Sequence, residues 1–183
     1  MQRCTPSFGS PVVVAAVAAV VVVGSGAGCG GGGVSSDPRA SHLRINEVMP
    51  ANAASCVDGA GEADDWLELF NDSDADINLD GVSITDDRTT PDKFALDGLT
   101  VPAGGVLLLW ADGTVAQGSD HLPFKLSAAA EEVLLFIGEG QVDEVTWTGA
   151  VADVSLARLP DGSGEPALCA LSSCGERNGA ACE

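Results

Sequence analysis

The stretch Asp76–Asp87, DINLDGVSITDD, carries two incompatible patterns. Its opening D-x-N-x-D-G is how an EF-hand calcium loop starts. Asp76, Asn78 and Asp80 would fill ligand positions 1, 3 and 5, Gly81 the turn, the Val82 backbone position 7, and Asp87 position 12, where a bidentate Glu is usual. The same letters alternate Ile77, Leu79 and then Val82, Ile84, which is a β-strand bent at a glycine. Context decides between them. An EF-hand loop lies between two helices, whereas this one follows DWLELFNDSDA and precedes RTTPDKF. Ser83 stands where an apolar residue would bridge to a paired loop, and no second loop exists. The strand reading is adopted.

Outward from this stretch the pattern repeats in kind. LRINEV (43–48) alternates Leu43, Ile45 and, less cleanly, Val48. DWLELFN (65–71) alternates Trp66, Glu68 and Phe70 with Leu67 and Leu69. GVLLLWAD (105–112) is a continuous apolar run bounded by turn residues, which predicts a central strand buried on both faces. EEVLLFIGEGQVDEVTW (131–147) predicts two strands around a GEG turn, and VSLARLP (154–160) a last one. LSAAAEEVLLF favours helix by propensity, but the apolar run Val133–Ile137 with a turn directly after it argues for strand. Short strands about ten residues apart, separated by Gly, Pro and Asp turns, predict an all-β sandwich.

The N-terminal part is of a different kind. Arg3, then an unbroken Val/Ala run over 12–23, then small residues, predicts an export signal over 1–28. The apolar run is too short for a spanning helix, which needs about 20 residues. GAGC (26–29) predicts lipidation of Cys29 as in bacterial lipoproteins, hence anchoring to a membrane of the cell envelope. Gly26 stands where such signals usually carry Leu, and ordinary cleavage to a secreted or periplasmic soluble protein is the alternative. Residues 29–41 read as a flexible tether and 42–183 as the domain.

Charge excludes some partners. Without residues 1–28 the chain carries 27 acidic and 7 basic side chains, a formal charge of −20. Such a surface repels phosphate backbones and anionic lipid headgroups, so nucleic acid is not an expected partner. Once Cys4 leaves with the signal and Cys29 takes the lipid, Cys56, Cys169, Cys174 and Cys182 remain. In an oxidising compartment these predict two disulfides, with three pairings open. The spacing is not that of a zinc site and no histidine lies nearby.

Candidate catalytic residues are few. His42 and His121 are the only imidazoles, there is no Tyr, and no nucleophile elbow, zinc-protease or phosphate-loop motif occurs. Glu47 and Glu68 could supply a carboxylate pair, but a chain with 27 acids produces pairs by chance. Trp66, Trp110 and Trp147 lie within strand patterns and read as core rather than as a sugar-stacking platform. A calcium site outside the EF-hand scheme would draw on Asp72, Asp74, Asp76, Asp86 and Asp87, together with the loop DGAGEADD (58–65), clustered at one end of the sandwich. The alternative reading of the same acids is a solvated rim, and no cofactor is required.

Taken in order, LRINEVMPAN (43–52), DDWLELFN (64–71), INLDGVSITDD (77–87), LTVPAGGVLLLWAD (99–112), HLPFKLSAAAEEVLLFIGEGQVDEVTW (121–147) and SLARLPDGSG (155–164) resemble the lamin-tail domain. That family is an immunoglobulin-like β-sandwich found in nuclear lamins and in exported bacterial proteins. Ala130 replaces the glycine the family usually has before its Glu, and the family's late Pro-Gly and Asn survive only as Gly175 and Asn178. The resemblance implies a non-catalytic binding or scaffold module, with an unidentified protein or envelope partner and no catalytic residues to carry over. The alternatives are a calcium-dependent adhesion module and, behind it, a secreted hydrolase.

Overall fold

The structure, a computed structural model, describes residues 34–179 and Cys182. The export signal, Cys29 and the first part of the tether lie outside the described residues. A 3₁₀ turn, η1 (Pro38–Ser41), leads into β1 (Leu43–Met49), β2 (Trp66–Asn71), β3 (Ile77–Asn78), β4 (Val82–Thr85), β5 (Phe94–Ala95) and β6 (Thr100–Val101). There follow β7 (Val106–Trp110), β8 (Ala130–Ile137), β9 (Gly140–Thr148), β10 (Ser155–Ala157) and β11 (Ala167–Cys169). The strands form an antiparallel five-stranded sheet in the order β11-β10-β1-β2-β7, a four-stranded sheet β5-β4-β8-β9 and a short β3-β6 pair. The two larger sheets pack as the immunoglobulin-like sandwich expected from the strand pattern.

The core is what the alternation dictates. Leu43, Ile45 and Val48 of β1 and Leu67 and Leu69 of β2 meet Val82 and Ile84 of β4 and Val133 and Leu135 of β8, all fully buried. Each such side chain contributes about 1.5–3 kcal/mol by leaving water. The unclean alternation in LRINEV has a physical cause. A bulge between Ile45 and Glu47 inserts one residue, so Val48 returns to the inner face while Glu47 and Met49 point outward. Asp143 of β9 accepts the Ile45 amide at 2.9 Å, and Arg158, just after β10, donates to the Ile45 carbonyl at 2.9 Å. Arg158 also pairs with Asp143 at 3.0 Å with both side chains nearly buried, so the bulge is held by a fixed ion pair.

The stretch 76–87 folds as β3, a turn and β4. Gly81 has φ 76°, a left-handed conformation that costs a glycine nothing. Its EF-hand-like oxygens are engaged by backbone. Asn78 Oδ1 accepts the Asp80 amide at 2.7 Å, and Asp80 Oδ1 accepts the Gly98 amide at 2.9 Å. Asp97 accepts the Gly81 amide at 2.8 Å. From η1, Arg39 donates to the carbonyls of Asn78 and Asp80 at 2.8 and 2.9 Å, clamping the turn. The end of the expected tether thus lies against the fold, and Val34 pairs in parallel with Gln141 of β9.

One expectation is corrected. GVLLLWAD forms β7, which is the edge of its sheet and not a central strand. The run is apolar because Leu107 and Leu109 pack against the core between the sheets and Leu108 and Trp110 against the outer apolar cluster, while a loop caps its Trp110 end. The Trp110 amide donates to the Asp120 carbonyl at 2.8 Å, and the Leu122 amide to the Trp110 carbonyl at 2.7 Å. The loop thus caps the Trp110 end of this edge. By contrast, LSAAAEEVLLF becomes β8 and GEG the β8–β9 turn, as expected.

Candidate functional site

The outer face of the five-stranded sheet is not open to solvent. Met49, Trp66 and Trp110 form a second apolar cluster there, against Leu108, Cys56 and Cys174. The three tryptophans are buried, as expected, but Trp66 and Trp110 belong to this outer cluster rather than to the core between the sheets. Cys56 is bonded to Cys174, and Cys169 to Cys182. The first bridge ties the loop after β1 to the tail across 118 residues; the second closes a tail loop across 13.

Under this tail lie two carboxylates. Glu47 and Glu68 stand directly opposite each other in the β1–β2 register, and both are fully buried. Glu47 accepts hydrogen bonds from the hydroxyls of Ser155 and Ser173 and from the Ser173 amide. Glu68 Oε1 accepts the Gly175 amide, while its Oε2 has no partner among the described residues. Burial, reinforced by the charges of Glu47, Asp161 and Glu176, pushes the Glu68 carboxyl up to about 8 against the bonding of the Gly175 amide. Burial likewise raises Glu47. Asn178 and Asp161 complete the closure: Asn178 donates to the carbonyls of Asn46 and Arg158 at 3.2 and 2.9 Å, and Asp161 accepts from the Asn46 side chain at 3.0 Å and the Asn178 amide at 2.8 Å. The pair therefore works as a fastening for the tail. Two like charges at adjacent cross-strand positions share fewer than two negative charges at neutral pH.

The other acidic feature is the loop between β1 and β2. Asn52 organises it, donating to the carbonyls of Cys56 and Asp64 at 2.7 Å and accepting from the Ser55 hydroxyl at 2.9 Å. Asp58 Oδ1 accepts the amides of Ala60 and Glu62 at 2.9 and 2.8 Å. Asp58, Glu62 and Asp64 each present an oxygen within 4.8 Å of the others'. Burial and the nearby charges of Asp112 and Glu62 raise the Asp64 carboxyl above its ordinary range. Asp112 is itself buried and bonded to His121 Nδ1 at 2.7 Å, and the His121 ring stacks on Trp110.

The remaining acids named from sequence are spread and engaged. Asp72 meets His42 at 2.5 Å, Asp76 accepts the Ala103 amide at 2.9 Å, and Asp74 is exposed. Asp86 pairs with Lys93, and Asp87 accepts the amide and hydroxyl of Thr89 at 2.9 and 2.7 Å. Among the described residues these five do not form a three-acid group of the kind made by Asp58, Glu62 and Asp64. The DGAGEADD loop was legible as acidic. Glu47 and Glu68, named from sequence as a possible pair and set aside as a chance one, do face each other; the signal was an acid placed inside each of two strand-forming apolar runs.

Comparison with known proteins agrees with the fold. The sequence profile of the family described as Lamin Tail Domain matches residues 36–149, well over half of the chain. No curated protein matches it. The matched region spans η1 to β9, including the β1–β2 loop and both buried glutamates, and stops before the cysteine-bearing tail. With the profile matching residues 36–149 and the chain folded as an antiparallel sandwich, the chain belongs to the lamin tail domain family.

Proposed function

We propose that this protein is a non-catalytic binding or scaffold module, displayed at the bacterial cell envelope through a lipid on Cys29 and engaging a protein or other envelope partner. The observation that carries the reading is the use made of its acid–base groups. Glu47, Glu68, Asp112 and His121 are each 5% exposed or less, and all of them hold structure rather than face a cleft. Membership of a family of immunoglobulin-like modules supports the same reading. Two disulfides suit an oxidising compartment outside the cytoplasm. The formal charge of −20 after removal of residues 1–28 disfavours nucleic acid as a partner.

The test has two arms. In cells making the full chain, palmitate label is incorporated and the protein sediments with membranes, whereas Cys29→Ser takes no label and is released. Retention of label by Cys29→Ser would refute the anchor. Cross-linking of intact cells yields a discrete adduct with an envelope component. Hydrolytic turnover that Glu47→Gln or Glu68→Gln abolishes without loss of fold would overturn the non-catalytic reading.

A further inference from the structure

We propose that the loop between β1 and β2 is a calcium site, with the carboxylates of Asp58, Glu62 and Asp64 as its protein ligands. Their oxygens already lie within 4.8 Å of one another, a span that a shell of oxygens at about 2.3–2.6 Å from one ion can close. The group runs from the interior to solvent: Asp58 is buried, Asp64 half-buried and Glu62 exposed, which gives an ion an entry path.

A second observation is independent of the clustering. Asp58 is 8% exposed and its Oδ2 accepts no hydrogen bond among the described residues. A carboxylate oxygen taken out of water without a donor is costly, and a cation at the group removes that cost. No cation among the described residues does so. The salt bridges among the described residues use other acids, and Lys125 acts on Asp64 only from beyond ion-pair distance.

The chemistry selects the ion. All three ligands are hard oxygens, and Cys56, two residues before Asp58, is in a disulfide, so zinc and softer metals are disfavoured. Magnesium demands near-octahedral geometry at about 2.0–2.1 Å, whereas calcium accepts carboxylates of an irregular loop with water filling the shell. The loop is held in advance: the Asp58 amide bonds the Glu62 carbonyl at 3.0 Å and the Gly61 amide the Asp58 carbonyl at 3.1 Å. The Cys56–Cys174 bridge and Asn52 fix its ends. Little ordering is left for binding to bring about. The site does not depend on the envelope reading, since the ion would bind the domain whether or not it is anchored.

The test is calorimetric titration of the purified full-length mature chain, disulfides intact, with calcium chloride, and with magnesium chloride at equal ionic strength. Melting curves are taken in both salts and in excess chelator. One calcium per chain and a calcium-specific rise in melting temperature are expected. Asp58→Asn keeps the Oδ1 acceptor that the loop amides use, and Glu62→Gln changes an exposed side chain; each should weaken binding by at least about tenfold, because affinity follows ligand charge. The double change Asp86→Asn, Asp87→Asn should leave binding unchanged. Equal behaviour in calcium and magnesium would overturn the proposal. So would calcium binding that survives Asp58→Asn with Glu62→Gln, or binding that is lost with the Asp86 and Asp87 changes.

Discussion

Glu68 offers a prediction whose size can be worked from the structure. Its carboxyl, ordinarily at 4.5, is pushed to about 8 by burial beneath the tail. The folded-state value lies above the unfolded one, so folding takes up a proton. The stabilisation is complete below pH 4.5 and is lost as pH rises toward 8. At 1.36 kcal/mol per pH unit the full span is worth about 5 kcal/mol, and linkage places about half of it between pH 5 and pH 7. For a domain of this size that corresponds to a fall of roughly 5–10 °C in melting temperature. The acidic surface adds its own slope, so the assay is a difference. Urea unfolding of the wild type and of Glu68→Gln is followed at pH 5, 6 and 7 with disulfides intact. Gln keeps an oxygen for the Gly175 amide but cannot ionise. The wild type should lose about 2 kcal/mol more than the variant between pH 5 and 7. Parallel curves would show that Glu68 does not titrate beneath the tail, and the reasoning about the buried pair would fail.

Three further outcomes follow from the same contacts. In the chain-entropy account, Cys56→Ser should cost about 5 kcal/mol and Cys169→Ser about 3 kcal/mol, because the first bridge closes a far longer loop; chemical unfolding of the two variants reads the order. Arg158→Ala leaves Asp143 without its cation and the Ile45 carbonyl without its donor, and should cost about 3–5 kcal/mol by the same assay, with a loss under 1 kcal/mol refuting the role given to the pair. A methyl group at Gly140 would meet the backbone of Ser35, so Gly140→Ala should speed hydrogen exchange at residues 34–41 while sparing β1 and β2; unchanged exchange would place that segment elsewhere.

Most of the sandwich was legible because its inner faces follow a period of two. Leu67 with Leu69 announces a buried strand by alternation, and the apolar run Val133–Ile137 with a turn directly after it announces another. The failures have physical causes. Val48 broke the period because a bulge intervenes, and a bulge held by Asp143 and Arg158, about 100 residues away, has no local signature. β7 read as central because an apolar run reports covered faces and says nothing about which edges are paired. β11 was missed because three residues carry no periodicity. For the sites, DGAGEADD announced a cluster of acids, but only the fold shows Asp58 turned inward with one oxygen unpaired. The disulfide pairing depended on the path of the tail over the outer face, which no local pattern in the sequence encodes.

The most direct test of the central account is mass spectrometry of the protein isolated from cells, digested without reduction. The account predicts an N-terminal peptide that begins at Cys29 and carries acyl chains. It also predicts two linked peptide pairs, Cys56 with Cys174 and Cys169 with Cys182. An unmodified Cys29 within a longer peptide would contradict envelope display by lipid. A bridge from Cys56 to Cys169 or Cys182, or free thiols at these positions, would contradict the fastening of the tail over Glu47 and Glu68.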